Sequence, residues 1–107
     1  MATIAEFQII DYDGSLHNYY RFADAYPNDM AGVFANFPLG NHDFMLETYV
    51  RRLRLEASEG NYWVDLTYVL NLSDRTIKIS SNYEEFEFEG SFEEAVRHFC
   101  YEDYSEK

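Results

Sequence analysis

The stretch NYEEFEFEGSFEEAVRHFCYEDY, residues 82–104, carries eight carboxylates, Glu84, Glu85, Glu87, Glu89, Glu93, Glu94, Glu102 and Asp103, against one basic side chain, Arg97. From Tyr83 to Glu89 the residues alternate, with Phe86 and Phe88 to one side and Glu85, Glu87 and Glu89 to the other, the period-two signature of a half-buried strand. Gly90 ends that strand. Ser91 with Glu94 three residues later forms a capping box, so a helix is predicted to begin at Phe92. Phe92, Ala95, Val96 and Phe99 then make an apolar stripe, with Glu93, Glu94, Arg97 and His98 outside it. A strand and a helix joined this closely need a shared apolar layer, which reads as an α+β domain. Glu93 and Glu94 also sit in a first helical turn, where the macrodipole favours negative charge, so capping explains their position as readily as binding does.

Upstream, Asn61 to Leu72 alternates two sets of largely apolar residues, including Tyr62, Val64, Leu66, Tyr68 and Leu70 against Trp63 and Val69, and reads as a central strand. Ser73-Asp74-Arg75 is a turn. Thr76 to Ser80 is a further strand with Ile77 and Ile79 alternating against Lys78, and with the acidic strand it completes a meander. Further back, Asn41 caps a predicted helix from His42 to about Ala57, and Asn28 or Asp29 a shorter one through Asn36 on Met30, Val33, Phe34 and Phe37. Arg51, Arg52 and Arg54 form the chain's basic patch, expected to pair with its own carboxylates. At the start, Thr3 to Asp11 and Leu16 to Phe22 are β-prone runs flanking Asp13-Gly14, the pair that supplies positive φ in a type I′ hairpin. Asp11-x-Asp13-Gly14-Ser15 resembles a calcium loop only faintly, because its glycine comes early and the distal glutamate is missing.

The expected architecture is therefore one domain spanning residues 1–107, in the order β-β-α-α-β-β-β-α, with an antiparallel sheet of four to five strands and helices on one face. Its acidic strand-helix unit closes the chain.

The segment after the second run, Tyr19-Tyr20-Arg21-Phe22-Ala23-Asp24-Ala25-Tyr26-Pro27, carries a Y-R-x-x-D-x-Y-P pattern in Tyr20, Arg21, Asp24, Tyr26 and Pro27. It resembles a segment of small uncharacterised prokaryotic and phage-borne proteins, in which a strand ending in that pattern precedes a short helix. Phe22 stands where those proteins have histidine and Ala25 where they have glycine, and the likeness covers about a fifth of the chain. In physical terms, the Asp24 carboxylate is expected to brace the turn, with Tyr26 packed beneath it.

With a net charge of −12 and pI near 4.4, the 107-residue chain repels phosphate backbones and anionic membranes and attracts cationic surfaces. Apolar residues at 47% and aromatics at 19% argue against disorder despite that charge. Charge sums to −4 over residues 1–40, −1 over 41–82 and −7 over 83–107, an asymmetry within one domain. Cys100 is alone, which fits a reducing cytoplasm, and MATIAEFQII lacks the basic leader and apolar run of a signal peptide.

His17, His42 and His98 fall in different elements, and His98 and Cys100 are two apart on a helix, so neither a metal centre nor a nucleophile-base pair is expected. No nucleophile elbow, phosphate loop or dinucleotide fingerprint occurs. No enzymatic role and no cofactor are expected. The functional expectation is a non-enzymatic acidic interaction protein. Through Glu84, Glu85, Glu87, Glu89, Glu93, Glu94, Glu102 and Asp103 it would present carboxylates to the basic surface of a nucleic-acid-binding protein. Glutamates on one side of a strand recur about every 6.8 Å, comparable to successive phosphates. In size and charge the chain resembles phage anti-restriction and anti-CRISPR proteins that act as nucleic-acid mimics. The alternatives are a small acidic calcium-binding domain and a housekeeping domain whose charge serves solubility.

Overall fold

The computed structural model, which describes residues 3–27, 32–40, 43–58, 60 and 62–102, contains five strands. They are β1 (Ala5–Ile10), β2 (Leu16–Arg21), β3 (Leu66–Asn71), β4 (Thr76–Ser81) and β5 (Glu87–Ser91). They lie side by side in the order 2-1-3-4-5. A 3₁₀ turn (Val33–Asn36) and a short helix, α1 (Leu46–Arg52), connect β2 to β3. Helix α2 (Phe92–Val96) follows β5 and runs on into a π-helical segment (Arg97–Glu102).

The sheet is mixed, which corrects the antiparallel expectation. β1 and β3 run parallel, with Phe7 beside Tyr68, while β1–β2, β3–β4 and β4–β5 are antiparallel. Side-chain alternation records which face a residue occupies but not which way its strand runs. Direction here is set by the long crossover from β2 to β3, which returns the chain to the starting edge of β1.

Register places Ala5, Phe7, Ile9, Leu66, Tyr68, Leu70, Ile77 and Ile79 on one face, all buried. Phe7 stacks on Tyr68 with ring centroids 4.4 Å apart. Phe34, Phe37, Tyr49, Leu53, Phe92, Ala95, Val96 and Phe99 close over that layer, so the helices do cover one face. The other face, with Glu6, Gln8, Thr67, Val69, Lys78, Glu87 and Glu89, carries no fully buried residue. Fully burying side chains of this size is worth about 1.5–3 kcal/mol each, so the one-sided core is the principal support of the fold.

The acidic segment keeps its capping box and its helix start, but its strand is displaced: β5 runs over Glu87–Ser91, so Tyr83 to Phe86 precede it, and Gly90, expected to end the strand, pairs with Ile77 inside it. Ser91 Oγ accepts the Glu94 N–H at 3.0 Å, and Glu94 Oε1 accepts the Ser91 N–H at 2.7 Å. The helix begins at Phe92, and its apolar stripe is buried.

Four local expectations are corrected. The first hairpin uses a three-residue loop: Tyr12 and Asp13 keep negative φ and Gly14 alone is positive at 86°, with Asp11 and Ser15 pairing across its base. This is a type I turn followed by a left-handed glycine. The long helix predicted from His42 to Ala57 shrinks to Leu46–Arg52, with no side-chain cap at Met45, and Asn41 lies outside the described residues. Among the described residues the shorter predicted helix is a 3₁₀ turn over Val33–Asn36, and Asn28, Asp29 and Met30 lie outside them. The chain order is thus β-β-3₁₀-α-β-β-β-α. β3 starts at Leu66, not Asn61, because Asp65 turns its backbone N–H, and its Oδ2, toward Ile4 at the head of β1.

Candidate functional site

The structure divides six of the eight acidic candidates, Glu84 to Glu94, among several surfaces. Glu84 and Glu85 lie in the turn between β4 and β5, so Glu85 is not a strand residue and the expected row of three carboxylates is a row of two. Ser81 Oγ accepts both the Tyr83 and Glu84 N–H groups, at 3.2 and 3.1 Å, and pulls the chain into a turn before β5 begins. Glu87 and Glu89 do share the open sheet face, beside β4. Glu87 reaches the Lys78 ammonium at 3.7 Å, and Glu89 stands opposite Lys78 in register. Glu93 pairs with Arg75 at 3.3 Å. Glu94 is engaged by the capping box, and the hydrogen bonds from Ser91, backbone first, hold its carboxyl below the ordinary value. Glu102 closes the π-helical segment, and Asp103 lies outside the described residues. All six carboxylates from Glu84 to Glu94 are exposed, with Glu84, Glu85, Glu87 and Glu89 on one edge strand and the turn leading into it.

The basic patch departs from expectation. Among the described residues, the ion pairs are Arg75–Glu93 and Lys78–Glu87, and neither involves Arg51, Arg52 or Arg54. Arg52 instead lies over the Phe44 ring at 5.5 Å. The three guanidinium groups, with Asn36 and Phe37, edge an open depression. Helix α1 accounts for this, because its last turn favours Arg51 and Arg52 next to the C-terminal carbonyls.

The Y-R-x-x-D-x-Y-P segment is structural where it is buried and exposed where burial was expected. Arg21 is only 5% exposed, and its guanidinium donates to Ala23 O at 2.9 Å and to Leu53 O at 3.0 Å. Tyr68 Oη donates to Ala25 O at 2.6 Å, and burial pushes that hydroxyl far above its ordinary pKa. Asp24 adopts a left-handed φ of 52°. Tyr26 is half-exposed, not packed beneath the turn.

A feature that pattern reading missed lies where the β4–β5 turn meets this segment. Tyr26, Tyr83, Phe86 and Phe99 wall a cavity of about 300 Å³ into which Asp65 and Glu84 also face. Beside it Trp63, the chain's one tryptophan, is 76% exposed, with its ring 6.1 Å from that of Tyr83. Desolvation, and then the charge of Asp65, raise the Tyr83 hydroxyl above its ordinary value. Sequence gave no signal for the site, because Trp63 alternates with strand-like neighbours and nothing local distinguishes an exposed aromatic from a core one.

Among the described residues, no three His, Cys, Asp or Glu side chains converge as metal ligands. Asp13 Oδ1 instead receives the Ser15 hydroxyl and N–H, which in that order hold its carboxyl low as an ordinary turn brace. Cys100 Sγ packs 3.6 Å from Phe34 O. No helix among the described residues is long and apolar enough to cross a membrane. No family model, curated protein or solved structure matches the chain.

Proposed function

We propose that the protein is a non-enzymatic interaction module that presents the carboxylates of its β4–β5 edge to the basic surface of a nucleic-acid-binding protein, in the cytoplasm, as a nucleic-acid mimic. The observation that carries this reading is the concentration of Glu84, Glu85, Glu87 and Glu89, all exposed, on an edge strand and the turn before it. The net charge of −12 adds a field that steers cationic partners toward the molecule and repels nucleic acid itself. Glu93 and Glu94 contribute charge from the neighbouring helix while serving Arg75 and the cap. Exposed Trp63 and Tyr83 beside the acidic turn offer the aromatic anchors that interfaces use. The resemblance in size and charge to phage anti-restriction and anti-CRISPR proteins points to the same partner class.

The test is competition with DNA for a purified RNA-guided nuclease and a purified restriction enzyme. We expect displacement that falls steeply as salt rises from about 50 to about 300 mM, as the Debye length shortens. Glu85, Glu87 and Glu89 reversed together to Lys should abolish it. Reversal of Glu47, Glu56 and Asp74, which shifts net charge equally, should leave most of it. Equal losses would reduce the effect to the overall field, and no displacement of DNA by the wild-type chain would refute the reading for these partners.

A further inference from the structure

We infer that the cavity between the β4–β5 turn and the Tyr26-Pro27 segment is a binding site for an alkyl-guanidinium group, an arginine side chain carried by a protein partner. This site goes beyond the acidic edge. Glu87 and Glu89 lie on the open sheet face, whereas the cavity is walled by Leu66 from the buried sheet face and by Phe99 from the helical layer that covers it.

The lining matches that cation in three respects. Tyr26, Tyr83, Phe86 and Phe99 supply aromatic surface, which attracts a cation over a ring face and packs against its aliphatic stem. Asp65 and Glu84 supply negative charge, and among the described residues no basic side chain lines the cavity. Asp65 spends Oδ2 on the Ile4 N–H at 3.0 Å, and a carboxylate accepts further donors at its other oxygen. The volume, about 300 Å³, suits one long side chain.

The walls are also held in place before any ligand arrives. Ser81 Oγ fixes the Tyr83 and Glu84 N–H groups, Asn82 N donates to Asp65 O at 3.0 Å, and Asn82 Nδ2 donates to Val64 O at 2.8 Å. A preformed pocket loses little ordering entropy on binding. Guanidinium is favoured over ammonium because its planar, weakly hydrated fork both stacks on rings and meets carboxylates. A protein is favoured as its bearer because half-exposed Tyr26 in the lining, and exposed Trp63 against the wall residue Tyr83, offer contact surface for whatever chain follows the side chain in.

The experiment titrates the intact chain with N-acetyl-Gly-Arg-Gly-amide, with the matching citrulline peptide and with agmatine, following Trp63 fluorescence and backbone amide shifts. The arginine peptide should bind saturably and about tenfold or more tighter than its neutral citrulline counterpart, a difference of about 1.4 kcal/mol. Glu84→Gln and Tyr26→Ala, both at exposed positions, should each weaken it about threefold or more with thermal unfolding unchanged. Glu87→Gln with Glu89→Gln should leave it unaltered. Equal binding of the citrulline peptide, or indifference to both cavity variants, would overturn the site. Agmatine binding while the peptide is excluded would overturn its assignment to a protein's arginine. The DNA-competition result for Glu85, Glu87 and Glu89 does not depend on this titration, so either reading can fail alone.

Discussion

Arg54 occupies the left-handed region at φ 56°, a conformation that costs a non-glycine residue about 1–2 kcal/mol. Two hydrogen bonds hold it there, from Arg54 N to Arg51 O and from Leu55 N to Val50 O, the pair that ends a helix in a Schellman motif. Arg54→Gly relieves the strain but gives up part of that gain to the freer unfolded chain, so a net stabilisation of about 0.5–1 kcal/mol is expected in urea melts. At the second helix, Ser91→Ala should cost about 1 kcal/mol by leaving the Glu94 N–H without its cap. Glu94 gives this junction a pH dependence. Its folded-state pKa lies below the unfolded value near 4.5, so its contribution is complete above that pH and is lost as pH falls through the folded value. The stability difference between wild type and Glu94→Gln should therefore shrink between pH 6 and pH 3, and a constant difference would show that the carboxylate does not support the cap. Arg21→Ala should be the costlier change, about 3 kcal/mol, because it strips Ala23 O and buried Leu53 O of their charged donor. Arg21→Lys should recover only part, since an ammonium lacks the fork that serves two carbonyls at once.

At the scale of elements, β3 is the strand on which the others depend. It joins the β1–β2 hairpin to the β4–β5 pair, and Tyr68 at its centre stacks on Phe7 and ties Ala25 into the core. Tyr68→Phe should cost about 1–2 kcal/mol at neutral pH by leaving Ala25 O without that donor. The hydroxyl also predicts behaviour in alkali. Burial raises its folded-state pKa above the unfolded value near 10, so its stabilisation is full below pH 10 and is lost as pH rises beyond it. Chemical melts above pH 10 should show wild-type stability falling, with Tyr68→Phe falling less. β5, by contrast, is an edge, and charged side chains on an edge discourage pairing with another sheet. Its glutamates thus serve solubility whether or not a partner reads them, which is why location, and not charge alone, has to be varied to test the proposed function.

Over the whole molecule the excess of negative charge opposes compaction. Screening about 1 kcal/mol of that repulsion between 20 and 300 mM NaCl should raise the melting temperature by about 4–8 °C. Association with a cationic partner should weaken over the same range. Opposite salt responses of folding and binding are the expected mark of a protein whose surface charge serves recognition more than stability.

The sequence by itself determined the elements whose physics is local. Alternation marked the burial faces of β4 and β5, Ser91 and Glu94 marked the start of α2, and Phe92, Ala95, Val96 and Phe99 marked its buried stripe. It also made the acidity of the C-terminal unit plain, because charge needs no neighbours to be counted. Tertiary structure decided what depends on distant partners. The parallel pairing of β1 with β3 follows from a crossover that no residue pattern encodes, and α1 is short because Leu53 and Leu55 are drawn into the core around a left-handed Arg54. The same holds for the surface: Glu85 leaves the acidic row because Ser81 bends the chain ahead of β5. The aromatic cavity exists because Tyr26, Asp65, Tyr83 and Phe99, spread over most of the chain, meet at one end of the sheet.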